Sequence, residues 1–275
     1  MAADAAALVQ AADWIGRHAL LVFGALLLLL PAAAGAVSGW LRGRSGALPP
    51  GGRPTSTLGA RRPAALIGLG ITMAVLCAAV FLALATQLAA GGTLSRVDQA
   101  LLDALQAHLP PALLPAFAAV THLADAATRT LLGIGVALLL LVRQQPALAA
   151  GWGVALAGNG WLTRGLKHLY GRPRPVFQDG FGIEQGLSFP SGHSAGAVVM
   201  FGMLAYLACC LLPLRWQRTV LVMAVALALA VGASRVFLGV HFASDVIAGF
   251  LSGGVWLLLC IGGVALWRAW RGRPA

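Results

Sequence analysis

Residues 190–214 read PSGHSAGAVVMFGMLAYLACCLLPL, and no acidic or basic side chain follows His193 before the stretch ends at Leu214. About 20 consecutive apolar residues are enough for an α-helix to cross the hydrocarbon layer of a bilayer. The stretch therefore predicts a membrane-spanning helix over 193–214, with a short polar Pro-Ser-Gly-His turn at its beginning.

Six other stretches have a similar apolar character. They run over residues 19–41, 64–90, 130–142, 147–166, 219–234 and 243–267. The stretch over 130–142 is too short to span alone, so we expect its helix to begin earlier and to carry Asp125 and Arg129, which lie one turn apart and can neutralise each other. The proline-interrupted segment 91–128 predicts helices outside the bilayer. The expected fold class is all-α, a polytopic membrane helix bundle.

The composition supports a membrane protein. Of 275 residues, 59% are hydrophobic and 10% are charged, against roughly 25% charged residues in an ordinary soluble chain. This excludes a water-soluble globule, which could not cover its own surface. The cysteines lie inside apolar stretches and suggest neither a disulfide framework nor a metal site: Cys77, Cys209, Cys210 and Cys260.

The net charge of +11 predicts orientation and not a nucleic-acid partner. With seven spans, one side of the membrane receives these arginines and no acid: Arg42, Arg44, Arg53, Arg61, Arg62, Arg143, Arg215, Arg218, Arg268, Arg271 and Arg273. Cytoplasmic loops collect positive charge, so this side, with the C-terminus, is expected to be cytoplasmic in a bacterial-type inner membrane. Because the basic cluster follows the first span, residues 19–41 predict an uncleaved anchor and not a signal peptide.

Three cations stand at the opposite, outer ends of different spans. Lys167 and Arg174 follow the fourth span, and Arg235 ends the sixth. Ionisable residues are costly at membrane depth and usually functional. Cations converging from separate helices indicate an oxyanion with several oxygens, of which phosphate is the commonest.

The same ends carry groups suited to acid–base or nucleophilic chemistry. Ser191 and Gly192 stand at a helix start, where free N–H groups favour an anion. His241 and Asp245 are four residues apart, so one ring nitrogen can be held by the carboxylate while the other serves as nucleophile or base. His193 comes from another helix and suits protonation of a leaving oxygen.

Three segments together resemble a known signature: Lys167-x6-Arg174-Pro175, Pro190-Ser191-Gly192-His193 and Ser234-Arg235-x5-His241-x3-Asp245. They are similar to the three-part signature of the type 2 phosphatidic acid phosphatase and haloperoxidase superfamily, in its membrane lipid phosphatase branch. The resemblance implies a six-span phosphatase core with one extra N-terminal span. It divides the chain into an anchor and Arg/Gly/Pro-rich cytoplasmic loop over 1–63 and the core over 64–275.

The resemblance also implies roles for the residues. His241 would attack phosphorus and form a phosphohistidine, His193 would protonate the departing alkoxide and later activate water, and Asp245 would orient His241. The phosphate-binding residues would be Lys167, Arg174, Ser191, Gly192 and Arg235. Neither a cofactor nor a metal is implied, and the expected partners are a lipid phosphate and the surrounding membrane lipids.

Several alternatives stay open. The substrate could be a phosphatidic acid-like monoester or undecaprenyl diphosphate, and the phosphoryl group could pass to another lipid instead of water. A non-enzymatic lipid-binding transporter is a further hypothesis. A metal site formed by the two histidines and the aspartate is rejected, because three cations would repel a divalent ion. The part played by Arg164, His168 and Arg172, beside the first motif, is left open.

Overall fold

The computed structural model describes residues 2–43, 57–89, 92–176 and 185–271. Within these ranges the regular structure is entirely helical, which confirms the all-α fold class. The helices are α1 (Ala2–Arg17), α2 (Ala19–Gly43), α3 (Thr57–Ala89), α4 (Thr93–His108), α5 (Leu114–Thr121), α6 (Ala126–Val142), α7 (Pro146–Tyr170), α8 (Gly192–Leu211), α9 (Leu214–Phe237) and α10 (Ala243–Arg271). Short 3-10 turns, Pro111–Leu113 and His122–Ala124, flank α5.

Five of the described helices are long and apolar enough to cross a membrane. These spans are Ala19–Trp40, Gly68–Leu88, Gly192–Leu211, Leu214–Phe237 and Ala243–Trp270. A sixth is possible if Pro111–Ala124 and Ala126–Val142, bent by 41°, form one broken span. Among the described residues the seven predicted spans are thus matched by five or six.

The predicted span that is missing even from the larger count is the one in α7, which is not among the apolar spans. Its 25 residues give a length of about 37 Å, sufficient for a bilayer. Its sequence, however, carries Asn159, Arg164 and Lys167 besides glycines and tryptophans. These side chains lower its hydropathy, because α7 faces other helices and the site as well as lipid.

The segment between the second and third predicted spans is helical, as expected. α4 is a separate helix, whereas α5 continues across the bend into α6 and is apolar enough to share its span. α6 begins at Ala126, with Asp125 as its N-cap residue. Asp125 attracts the charge of Arg129, as expected, while the hydrogen bonds of its carboxylate go to His122 and His193.

Helix α8 lies at the centre of the bundle and packs against α7, α9 and α10. Met200 and Met203 of α8 are buried with Trp152 of α7 and Val231 of α9. At its start, α8 comes very close to α10, because a Cβ on Gly249 would lie 2.6 Å from the Ser191 carbonyl oxygen. Glycine at 249 therefore lets the two helices that carry the second and third motifs meet.

The N-terminal helices also pack on this bundle. α1 lies against α4, and α2 lies against α9, where the Phe23 and Phe237 rings are 5.5 Å apart. α3 begins at Thr57 and packs against α10. The division of the chain at residue 63 remains a prediction.

Candidate active site

Two left-handed glycines turn the helix ends toward each other. Gly171 follows α7 with a φ of 60°, and its N–H bonds to the Lys167 carbonyl oxygen at 2.9 Å. Gly239, with a φ of 66°, lies in the connection between α9 and α10. Glycine adopts this conformation without the steric cost of a Cβ. The reversal after α7 brings Arg174 back to the loop that carries His241.

His241 and Asp245 lie together, as their spacing indicates. His241 is 1% exposed, and its Nδ1 is 3.4 Å from Asp245 Oδ2. Ser188 Oγ lies 3.1 Å from the same Nδ1 and donates to the same carboxylate oxygen. A buried aspartate and a serine therefore fix the orientation of the ring, and Ser188 is a member that the sequence did not indicate.

The other ring nitrogen faces a cation. Arg174 Nη1 donates to the Val240 carbonyl oxygen at 3.0 Å and lies 3.2 Å from His241 Nε2. A guanidinium can only donate hydrogen bonds, so Nε2 is the acceptor in this contact and the ring proton resides on Nδ1, beside Asp245. This is the tautomer in which Nε2 carries the reactive lone pair.

The environment of His241 keeps the ring neutral. Burial lowers its pKa from 6.5 to about 4, because the charged imidazolium would lose its hydration. Asp245 opposes this shift, while the positive charges of Arg174 and Arg235 add to it. At neutral pH the ring is therefore available as a nucleophile or base.

Arg235 is buried beside His241. Its Nη1 donates to Thr121 Oγ1 at 2.7 Å, and its carbonyl oxygen accepts the His241 N–H at 3.2 Å. Thr121 of α5 thus fixes the Arg235 guanidinium, while the Arg235 backbone carbonyl binds the loop that carries His241. No sequence pattern indicated that Thr121 belongs to this arrangement.

A cavity of about 680 Å³ lies beside this arrangement and is bordered by Arg174, the residue in contact with His241. Lys167, Arg174 and Gly192 contribute to its wall. Lys167 Nζ donates to the carbonyl oxygens of Leu187 and, at 3.5 Å, Ser188. Two of the three predicted cations therefore border one space, whereas Arg235 is buried beside His241 and does not line it.

The start of α8 has the expected cap geometry. Ser191 is the N-cap, and its Oγ accepts from the Ser194 N–H at 3.3 Å. The Ser191 N–H donates to the Asp245 carbonyl oxygen at 2.9 Å, which ties the second motif to the third. Gly192 has no side chain to block the helix end, where an anion is favoured.

His193 has an acidic partner of its own. Its Nε2 lies 2.8 Å from Asp125 Oδ1, and Asp125 Oδ2 lies 2.7 Å from His122 Nδ1. The carboxylate at the bend between α5 and α6 therefore holds the imidazole of the second motif. His122, which belongs to none of the three motif segments, is connected to His193 through this carboxylate.

A family model described as the PAP2 superfamily matches residues 148–269. This interval contains all three motif segments together with His193, His241 and Asp245. Over this interval the chain is similar to the PAP2 superfamily.

Two relatives agree with this match. Phosphatidylglycerophosphatase B of Bacillus subtilis (strain 168) is 40% identical over 94 residues, which are 34% of this chain and 46% of the relative. The chain thus matches less than half the length of this curated relative. The crystal structure of a transmembrane PAP2 type phosphatidylglycerolphosphate phosphatase from Bacillus subtilis aligns with a TM-score of 0.65 and 28% identity, over 69% of this chain and 94% of that one.

The candidate site extends beyond the three motif segments. Arg172 Nη1 donates to Asp245 Oδ1 at 2.6 Å, and its Nη2 donates to Asp98 Oδ2 at 2.8 Å. Asp98, in α4, also accepts from the Ser244 N–H at 3.1 Å and from its hydroxyl. Burial raises the pKa of Asp98, an effect that Ser244 and Arg172 oppose. Sequence reasoning missed Asp98 because α4 is distant along the chain.

The residues left open beside the first motif now have positions. Arg172 joins the carboxylate network, while Arg164 and His168 line the cavity wall. No group of three or more His, Cys, Asp or Glu side chains able to hold a metal ion occurs in the described part of the chain.

Proposed function

We propose that this chain is an integral membrane phosphatase that releases phosphate from lipid phosphate monoesters or diphosphates. The observation that carries the proposal is the arrangement around His241. A neutral imidazole presents Nε2 to Arg174, which borders the cavity, while Asp245 holds Nδ1. This is the geometry of an oriented nitrogen nucleophile beside an oxyanion site.

The proposed reaction has two displacements. In the first, His241 Nε2 forms a bond to phosphorus as the bond from phosphorus to the lipid oxygen breaks, and His193 gives its proton to the departing oxygen. In the second, His193 takes a proton from water, which attacks the phosphohistidine and releases inorganic phosphate. The His241 ring keeps its Nδ1 proton, whose hydrogen bond the Asp245 carboxylate accepts, and this carboxylate stabilises the positive charge that the ring acquires.

The cations and the helix start serve the transferring phosphoryl group. Such transition states spread charge over three non-bridging oxygens, and catalysis is largely positioning and electrostatic stabilisation. Donors for these oxygens are supplied by Lys167, Arg174, Arg235, Ser191 and Gly192. Because all these donors belong to the protein, we propose that no metal is needed.

The substrate class follows from the membrane setting and the relatives. The site lies at the ends of membrane helices, where a lipid headgroup meets water while its chains stay in the bilayer. The two Bacillus subtilis relatives are named for phosphatidylglycerophosphate. We therefore favour glycerolipid phosphates over undecaprenyl diphosphate. The arginine distribution supports a site on the extracytoplasmic face of a bacterial-type inner membrane, with the C-terminus in the cytoplasm.

The test is phosphate release by the purified full chain in detergent with EDTA present. Phosphatidic acid, phosphatidylglycerophosphate and undecaprenyl diphosphate are supplied separately. We expect release from the glycerolipids, its loss in His241→Gln, and normal release in the matched control His108→Gln, whose imidazole bonds to its own helix. No release from any lipid, or full activity in His241→Gln, would contradict the mechanism.

The same assay separates the alternatives. Activity that requires an added divalent metal would contradict the metal-independent route. Transfer of phosphate to an added lipid alcohol, with none to water, would indicate a phosphotransferase. Lipid binding without any turnover would favour a transporter.

A further inference from the structure

A second cavity, of about 430 Å³, lies between α6 and α7 beside the catalytic cavity. The two cavities share four wall residues: Ala126, Arg129, Ala157 and Gly160. Because they share these residues, the polar space at Lys167 continues into the space between the two helices. We name this second space the α6–α7 cleft.

The α6–α7 cleft is mainly apolar and open on one side. Ile134, Ala137, Leu156 and Val199 belong to its wall, with Thr130 and Asn159 as the uncharged polar members. Ile134 is 56% exposed, and the small residues along this face of α7 are exposed as well. In a membrane such exposed apolar surface faces lipid, so the cleft is open to the bilayer.

One charged side chain stands where the α6–α7 cleft meets the catalytic cavity. The guanidinium of Arg129 lies directly over Gly196 of α8, where a Cβ would collide with it. Its Nε is buried and has no hydrogen-bond partner among the described residues. Asp125 attracts this charge, but the hydrogen bonds of the Asp125 carboxylate go to His122 and His193. A buried donor left unsatisfied is costly.

We propose that the α6–α7 cleft holds an acyl chain of the substrate and that Arg129 donates to its ester carbonyl oxygen. This inference rests on the proposed function and adds to it a binding site for the lipid beyond the scissile phosphate. The chemical class is an ester-linked glycerolipid phosphate. The apolar cleft fits the hydrocarbon chain, and the Arg129 donor fits the polar linkage between chain and phosphate.

The depth of Arg129 agrees with this assignment. Gly192 begins α8 at the phosphate site, and Gly196, under Arg129, is four residues further along. Four residues of an α-helix rise about 6 Å. A glycerolipid ester carbonyl lies only a few bonds from phosphorus, so one molecule can reach both positions.

The first test compares substrates with and without the ester carbonyl. The full chain in mixed micelles is given dioleoyl phosphatidic acid, its dialkyl-ether analogue, and the water-soluble p-nitrophenyl phosphate. In Arg129→Met we expect kcat/KM for the diacyl lipid to fall about 10- to 100-fold, the range for a lost hydrogen bond to a charged group. Hydrolysis of p-nitrophenyl phosphate falls less than hydrolysis of the diacyl lipid, and the preference for diacyl over ether lipid disappears. Arg129→Lys restores part of that preference.

The second test obstructs the α6–α7 cleft. Gly153 lines it, and no atom lies within 4 Å of the position that a Cβ on this residue would take, so Gly153→Phe fills the cleft. The matched control is Gly135→Phe on α6, where the space is equally open and the residue does not line the cleft. We expect Gly153→Phe to raise KM for the diacyl lipid at least fivefold while leaving p-nitrophenyl phosphate hydrolysis unchanged, and the control to change neither.

Three results would overturn the inference. Equal losses on lipid and soluble substrates in Arg129→Met would assign Arg129 to the phosphate site or to folding. Unchanged lipid kinetics in both variants would leave the α6–α7 cleft without a lipid. A shift in oligomeric state in Gly153→Phe, measured by light scattering, would make the cleft a contact between copies of the chain. A wild-type chain inactive on every substrate would instead contradict the proposed function.

Discussion

The carboxylates of Asp98 and Asp245 are joined by one guanidinium, that of Arg172, at 2.8 and 2.6 Å. This contact connects α4, which carries no part of the PAP2 signature, to the aspartate that orients His241. Both carboxylates are buried, at 3% and 0% exposure, so little water competes for the guanidinium. Asp98 is therefore a positioning residue for Asp245.

Replacing Asp98 should loosen that arrangement. In Asp98→Asn, Arg172 loses a charged partner, and hydrogen bonds to charged groups contribute about 1.5–3 kcal/mol each. We expect kcat to fall about tenfold with KM nearly unchanged, measured with a lipid phosphate in detergent. The matched control is Asp103→Asn on the same helix, where the exposed carboxylate bonds to Gln99. Activity within twofold of wild type in Asp98→Asn would remove Asp98 from the catalytic arrangement.

The low pKa of His241 predicts activity in weak acid. Since this pKa is about 4, the ring remains neutral and nucleophilic at pH 5, where an ordinary histidine would be mostly protonated. The yield of the trapped phosphohistidine in the first turnover is measured from pH 4 to 8. On the acid side of this profile the yield should therefore not decline until the pH approaches 4. A midpoint near 6.5 would contradict the burial effect.

The same shift affects stability, with a definite sign. The folded pKa lies below the unfolded value, so between about pH 6.5 and 4 the unfolded chain binds a proton that the folded chain does not. The stability difference between wild type and His241→Gln should be constant above pH 6.5, and wild type should lose stability relative to the variant as pH falls to 4. Thermal unfolding in detergent at matched pH values measures this; parallel curves would contradict it.

The contact between α8 and α10 depends on Gly249. A Cβ there would lie 2.6 Å from the Ser191 carbonyl oxygen and 2.9 Å from Ser194 Cβ. We expect Gly249→Ala to destabilise the chain by about 1–3 kcal/mol through overpacking, and to lower activity by disturbing the Ser191–Asp245 backbone bond. Gly254→Ala, in the same helix with open space around it, is the control and should keep the wild-type unfolding temperature. A normal unfolding temperature in Gly249→Ala would show that the helices tolerate separation.

Orientation can be measured at the two ends of α7. In a variant with all four cysteines replaced, His168→Cys stands at the cavity end and Gln144→Cys precedes the opposite end; both positions are exposed. A membrane-impermeant maleimide should label position 168 in intact spheroplasts and position 144 only after permeabilisation. The reverse pattern would invert the proposed topology.

Local rules account for most of the fold. Hydropathy located α2, α3, α8, α9 and α10 because each is nearly uniform in character, and its signal was weaker where a helix has a mixed environment. α7 contacts lipid, protein and the site, so its polar residues lower the average on which hydropathy depends. The bend at Asp125 likewise divides one apolar stretch in a way that composition does not reveal.

The site was predictable where its residues have fixed spacing. His241 and Asp245 are four residues apart at the start of α10, and Ser191 is a helix cap, so local geometry brings them into place. Asp98, Ser188 and Thr121 lie in other segments and reach the site only through tertiary packing. Their roles depend on which helices meet, which a single sequence does not specify.

The contact between Arg174 and His241 Nε2 has a consequence for selectivity. At rest the lone pair is masked by the same guanidinium that attracts an incoming oxyanion. A molecule bearing negative oxygens draws the guanidinium to itself and so uncovers the nitrogen, whereas a neutral electrophile has nothing with which to displace it. The contact would therefore favour reactants that carry negative oxygens over neutral ones before any bond to His241 forms.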